Sequence, residues 1–108
     1  MQRTYHLIMM KNILGCRKDQ VIRTYDLKGS KDNREVAGDD IEANELLKLT
    51  LKDIDFNKLE QTIKIDHESR DNLREVIEQD TAFLKNLNIV DYSLLVVKVK
   101  WPIPPAHP

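Results

Sequence analysis

Ile89-Val90-Asp91-Tyr92-Ser93-Leu94-Leu95-Val96-Val97 sets a single acid in a mostly apolar run. Before it, Leu73, Val76, Ile77, Phe83, Leu84 and Leu87 recur three and four residues apart, which predicts an amphipathic helix over about 69–87. After it the period drops to two, which predicts a strand with Val97, Val99 and Trp101 inward and Lys98 and Lys100 outward. A long helix turning straight into a strand makes the fold class α+β. Asp91 falls at that joint, where two rigid elements can hold one side chain over a cleft. A carboxylate among apolar neighbours loses hydration and needs a partner or a task. The simpler reading is a turn aspartate that caps the strand.

The helix carries its own boundary signals. Asp66 or Ser69 can cap its start, Glu68 and Asp71 suit the positive N-terminus, and Lys85 suits the last turn. Asn86 and Asn88 supply turn chemistry beyond it. Asp80 interrupts the apolar stripe, so it must meet a donor near the Asp91 loop or reach solvent.

Upstream, Tyr5 to Ile13 reads as a strand buried on both faces, because Leu7-Ile8-Met9-Met10 is unbroken. Gly15 to Gln20 is a polar turn. Val21-Ile22-Arg23-Thr24-Tyr25-Asp26-Leu27 is a second strand, rich in β-branched and aromatic side chains. The two together predict an antiparallel hairpin. Lys28-Gly29-Ser30 follows: glycine permits a sharp turn and close approach of a ligand, and the lysine can act as a point charge for phosphate. The order of a P-loop is absent, so by itself this is as well a simple turn. Residues 31–50 read as a polar loop with one or two helical turns after Ile41. In Leu51-Lys52-Asp53-Ile54-Asp55-Phe56 the apolar residues should pack while the two acids cap or pair with Lys52 or an arginine. No third ligand is spaced to complete a metal site with them.

Bulk properties bound the function. The chain has 108 residues, enough for one small core. Its net charge of −1 is unevenly spread: +4 over residues 1–35, −7 over 36–80 and +2 over 81–108. A basic first third suits a phosphate-bearing ligand, and the acidic middle argues against a nucleic-acid surface. No apolar run exceeds four residues, so neither a transmembrane segment nor a secretory leader is expected. One cysteine, Cys16, rules out an internal disulfide and points to a cytoplasmic, reducing compartment.

Three stretches, in order, carry a family resemblance. Tyr25-Asp26-Leu27-Lys28-Gly29-Ser30, Leu51-Lys52-Asp53-Ile54-Asp55-Phe56 and Ile89-Val90-Asp91-Tyr92-Ser93-Leu94-Leu95 together resemble the phosphatidylinositol phosphate kinases, the last being similar to their MDYSLL signature. Val90 replaces the usual methionine, a near volume-conserving apolar change. The resemblance covers roughly residues 5–100 and corresponds to a middle slice of the catalytic domain. It divides the chain into a partial kinase domain, 1–101, and a proline-rich tail, 102–108. The protein-kinase pattern H-R-D-x-x-x-x-N is not met, since Val90 stands in place of its arginine and Val96 in place of its asparagine.

The resemblance implies a lipid kinase that transfers the γ-phosphate of ATP, with Mg²⁺, to an inositol-ring hydroxyl of a phosphoinositide. The protein would then be cytoplasmic and peripheral at membranes. Asp91 would be the catalytic acid that orients the acceptor hydroxyl and takes its proton, held unpaired with any lysine or arginine. Backbone groups of Met10, Lys11 and Asn12 would face adenine at the hinge between lobes. Lys28 would contact phosphate of the nucleotide or lipid, and Arg34 would be a second lipid contact. No metal ligand is assigned. The family's glycine-rich nucleotide loop, its second metal-binding aspartate and its activation loop have no counterpart, so the 108 residues alone should transfer little phosphate. The rival is a catalytically dead relic that binds phosphoinositides or proteins.

Overall fold

Seven residues of high strand propensity make β1 (Val21–Leu27), which becomes the middle of a three-stranded sheet with β2 (Thr50–Leu51) and β3 (Leu94–Val99), in the order β2-β1-β3. The computed structural model describes residues 2–13, 15, 18–39 and 41–100. A 3-10 turn, Lys18–Gln20, leads into β1. β3 pairs antiparallel to β1, with Leu27 opposite Leu94 and Tyr25 opposite Val96. β2 pairs parallel to it, with Tyr25 beside Leu51. A parallel neighbour demands a crossover. The loop after β1 and the one-turn helix α1 (Ala43–Leu46) supply it. The arrangement is α+β, with α2 (Asp53–Leu59) and the long α3 (His67–Asn86) completing it.

The core is small and centres on β1. Tyr25 and Leu51 are fully buried, with Ala37 and Leu46 beside them. The Phe56 ring meets Tyr25 edge-on at 5.2 Å, a geometry that contributes about 0.5–1.5 kcal/mol beyond burial. Val96 also packs here, from the face of β3 opposite to the expected Val97 and Val99, which are themselves half-buried while Lys98 and Lys100 are exposed. Directly opposed residues share a face, and pairing with Tyr25 puts Val96 and Lys98 on the core side. That register sets Lys98 opposite Arg23, an unfavourable like-charge pair. Glu60, which caps the end of α2, resolves it. Its carboxylate accepts from Arg23 Nη1 at 2.7 Å, the Tyr25 hydroxyl at 2.6 Å and Lys98 Nζ at 2.9 Å.

Helix α3 begins as expected, with Asp66 Oδ1 accepting from the Ser69 amide at 2.7 Å. Leu73, Ile77, Thr81 and Leu84 form its half-buried stripe, whereas Val76, Phe83 and Leu87 are exposed. The apolar arc is wider than the edge by which α3 meets the sheet. Asp80 lies in the exposed part and has no partner among the described residues. No helix of the described residues is long and apolar enough to cross a membrane.

The first expected strand is not formed. Residues 5–13 have no strand structure, and Leu7 and Met9 are 90% and 99% exposed. A strand apolar on both faces needs a layer on each side, and the described elements place none there. The antiparallel partner of β1 is therefore β3, whose nearest pair is Leu27 with Leu94, and not Tyr5 to Ile13. Trp101 and residues 102–108 lie outside the described residues, as does Cys16.

Acid stability should report the Glu60 junction. Burial alone would push this carboxyl up, but the Tyr25 hydroxyl, Lys98 and Arg23 outweigh it and bring it from 4.5 to about 2. The folded state thus favours the anion, and this contribution is complete above pH 4.5 and lost as pH falls toward 2. It is worth on the order of 2 kcal/mol. Urea titrations should show Glu60→Gln less stable by roughly that amount at pH 7, with a shallower acid decline than the parent chain.

Candidate functional site

The turn that carries Asp91 is built by the end of α3. The Ile89 amide donates to the Leu84 carbonyl and the Asn88 amide to the Lys85 carbonyl, both at 3.0 Å. With Asn88 at φ 58° this is a Schellman closure, which asparagine tolerates in place of glycine. Three residues on, Asp91 is itself left-handed at φ 63°, a conformation that short polar side chains accept and β-branched ones resist. The two left-handed residues reverse the chain between helix and β3 and swing the Asp91 carboxylate outward.

The opposing wall is the loop after β1. Gly29, at φ 79°, occupies a region open chiefly to glycine. Its amide donates to Asp53 Oδ2 at 2.8 Å, and the Lys28 amide reaches both Asp53 oxygens at 3.2 Å. Arg34 Nε donates to Asp53 Oδ1 at 2.9 Å. Arg34 Nη2 donates to the Asp26 carbonyl, and Lys52 Nζ to Asp26 Oδ2 at 3.0 Å. Each of these cations therefore has an acid, and both acids titrate below their usual range. For Asp26 the Ser93 hydroxyl is the main cause, ahead of Lys52 and Arg34, with burial opposing. For Asp53 burial opposes most strongly, and is outweighed by Arg34 and the Gly29 and Lys28 amides.

Lys28 and Asp91, 63 positions apart in sequence, meet at this point: Nζ donates to Oδ1 at 2.9 Å. They share an open hollow of about 640 Å³ with Ser30, Lys85, Asn88 and Tyr92. Asp91 Oδ2 has no partner among the described residues. The expectation of an acid unpaired with lysine and set among apolar groups is thus corrected. Its side chain is 85% exposed, because the left-handed turn points it away from the apolar run. Lys28, through its hydrogen bond and its charge, holds the carboxyl below the usual range, so burial does not raise it. A second hollow, of about 450 Å³ beside Tyr25 and Glu60, offers no free acid, since Glu60 is already bound by three donors.

The remaining candidates are placed as follows. Arg34 is 12% exposed, engaged through Nε and Nη2, and does not line the Asp91 hollow. Met10, Lys11 and Asn12 lie in the exposed segment before Gly15, and none of them lines the Asp91 hollow. Among the described residues no group of three or more His, Cys, Asp or Glu is placed to hold a metal. Two side chains carry no sequence signal for the roles they have here. Lys85 suited the helix dipole, but it also lines the Asp91 hollow. Glu60 carries no local pattern at all.

Comparison with known proteins gives a consistent family. A family model described as Phosphatidylinositol-4-phosphate 5-Kinase matches residues 1–100. The chain is 41% identical over 91 residues to phosphatidylinositol 5-phosphate 4-kinase type-2 gamma of Xenopus tropicalis, covering 84% of this chain and 21% of that protein. With the type-2 alpha kinase of Homo sapiens the identity is 43% over the same shares. A probable phosphatidylinositol phosphate kinase of Dictyostelium discoideum is 34% identical over 87% of this chain and 12% of its own length. The chain thus spans about a fifth of the length of the vertebrate relatives. No solved structure matches it.

The turn geometry separates charge from conformation at Asp91. Asparagine keeps the left-handed preference, so Asp91→Asn should leave the melting temperature within about 2 °C, whereas Asp91→Val should lower it by roughly 4 °C or more. Thermal unfolding followed by circular dichroism checks both.

Proposed function

Because the chain belongs to the phosphatidylinositol-4-phosphate 5-kinase family, we propose that it carries the acceptor-activating part of a phosphatidylinositol phosphate kinase. The observation that supports this most is the meeting of Lys28 and Asp91 in one open hollow, from two of the stretches that carry the resemblance. Asp91 accepts the proton of an inositol-ring hydroxyl as that oxygen forms its bond to the γ-phosphorus of ATP. The bond from that phosphorus to the bridging oxygen breaks, and ADP leaves with the electron pair. Catalysis of this kind consists mainly of alignment and charge neutralisation.

The ion pair gives Lys28 two states. Without nucleotide its ammonium sits on Asp91 and makes the carboxylate a weak base. A triphosphate presents several anionic oxygens and competes for the same lysine. When Lys28 turns to phosphate, Asp91 loses its cation and its affinity for a proton rises. The base is then strengthened only once the nucleotide is present. Arg34 contacts a lipid phosphate, and the backbone of Met10, Lys11 and Asn12 faces adenine. Mg²⁺ would arrive on the ATP phosphates and shield their charge. The described residues offer it no ligand cluster, so no step here runs through it. The lipid substrate places the protein at a membrane surface, as a peripheral cytoplasmic protein.

One observation favours a second reading, a phosphoinositide-binding relic: Asp91 is exposed and ion-paired, a state that needs no chemistry. Turnover separates the two. In a longer protein that includes this chain, assayed with ATP, Mg²⁺ and phosphoinositide vesicles, Asp91→Asn should cut phosphate transfer roughly 10²–10⁴-fold with vesicle binding intact. Unchanged transfer would contradict the kinase role of Asp91. A parent protein that binds the vesicles but transfers nothing would establish the relic.

A further inference from the structure

The two acids of the Leu51 to Phe56 stretch have different tasks. Asp55 is 1% exposed and accepts from the Val36, Ala37 and Lys52 amides, so it holds the crossover to the core. Asp53 accepts from the Lys28 amide, the Gly29 amide and Arg34 Nε, and no contact of its carboxylate goes to the core. We infer that Asp53 is a positioning residue for Lys28, fixing the backbone from which the lysine reaches Asp91. This deepens the kinase reading and rests on it for its role in the reaction.

Three observations carry the inference. Two consecutive amides aimed at one carboxylate fix the backbone of Lys28, and the left-handed Gly29 is what lets the second amide turn inward. The lysine side chain then leaves the loop on the Asp91 side, with only its own torsions to settle. Charge is partitioned to match. Asp53 lies next to Lys28 in space, yet its charge is met by Arg34, and that of Asp26 by Lys52 as well as Arg34. Neither acid captures the Lys28 ammonium, which remains for Asp91 or for an incoming phosphate. Arg34 also ties Asp53 to the Asp26 carbonyl, closing the loop at both ends.

Carbon-detected NMR on the 108-residue chain tests this without any turnover, by following the Asp91 carboxyl through a pH titration. Lys28→Met sets the midpoint of an Asp91 without its cation. Asp53→Asn, which removes the Arg34 pairing and one strong acceptor, should move the Asp91 midpoint upward by more than half the distance to the Lys28→Met value. A midpoint that stays at the parent value in folded Asp53→Asn overturns the inference, and so does a Lys28→Met midpoint equal to that of the parent. Should Asp53→Asn fail to fold, the parent chain still decides: the Lys28 and Gly29 amide shifts must titrate together with the Asp53 carboxyl, and amides indifferent to it refute the claim. Failure of the kinase reading is a separate result, seen as absent phosphate transfer while these titrations behave as stated.

Discussion

Two carboxylates in the first turn of α2 fix the Lys28 loop and the crossover behind it, on which the candidate site depends. Asp53 and Asp55 accept from six groups between them, four of these from the loop segments 28–29 and 36–37. On a helix, positions i and i+2 point about 200° apart. One acid therefore faces the Lys28 loop while the other faces the crossover at Val36 and Ala37. Had the stretch been extended, both would lie on one face and could serve only one of them. The start of α2 thus acts as a clamp between two loops that otherwise have little apolar surface to fix them.

The second constraint is electrostatic balance in a small, highly charged chain. A three-stranded sheet with few buried side chains leaves much of its stability to polar junctions. Glu60 is the clearest: it satisfies three donors from β1 and β3 and separates two cations that the strand register sets against each other. The Asp26, Asp53, Arg34 and Lys52 set does the same at the other end of β1. Beside that set stands Lys28 with Asp91, an exposed contact of the kind that contributes little to stability. A weak, solvent-facing pair is easily exchanged for a phosphate, which is what a ligand-responsive site requires.

Much of this was legible in the sequence, and the failures have physical causes. The α3 period, its Asp66 cap and the turn asparagine at 88 are local signals, each set by residues within one or two helical turns. The structural role of Asp53 and Asp55 was also anticipated, because an acid beside packed apolar residues must find donors nearby. The strand over residues 5–13 failed because an apolar run records only that burial is needed, not where the covering layer comes from. The half-burial of Val97 and Val99 follows the alternation of β3, but the packing of Val96 does not, because alternation fixes a period and not which face meets Tyr25. Glu60 was invisible, since its three partners lie 35 to 38 positions away. The Lys28 contact to Asp91 is hidden for the same reason, since it joins residues 63 positions apart.

The most direct test of the account is a proximity measurement in solution, free of any ligand. In the isotopically labelled 108-residue chain, the Lys28 ε-protons and the Asp91 β-protons should show a nuclear Overhauser contact at neutral pH. That contact should weaken when inorganic triphosphate is added and Lys28 turns toward it. A Lys28 side chain with no contact to Asp91, in a chain whose β1 and β3 amides report the paired sheet, would contradict the claim that the braced loop delivers this lysine to this acid.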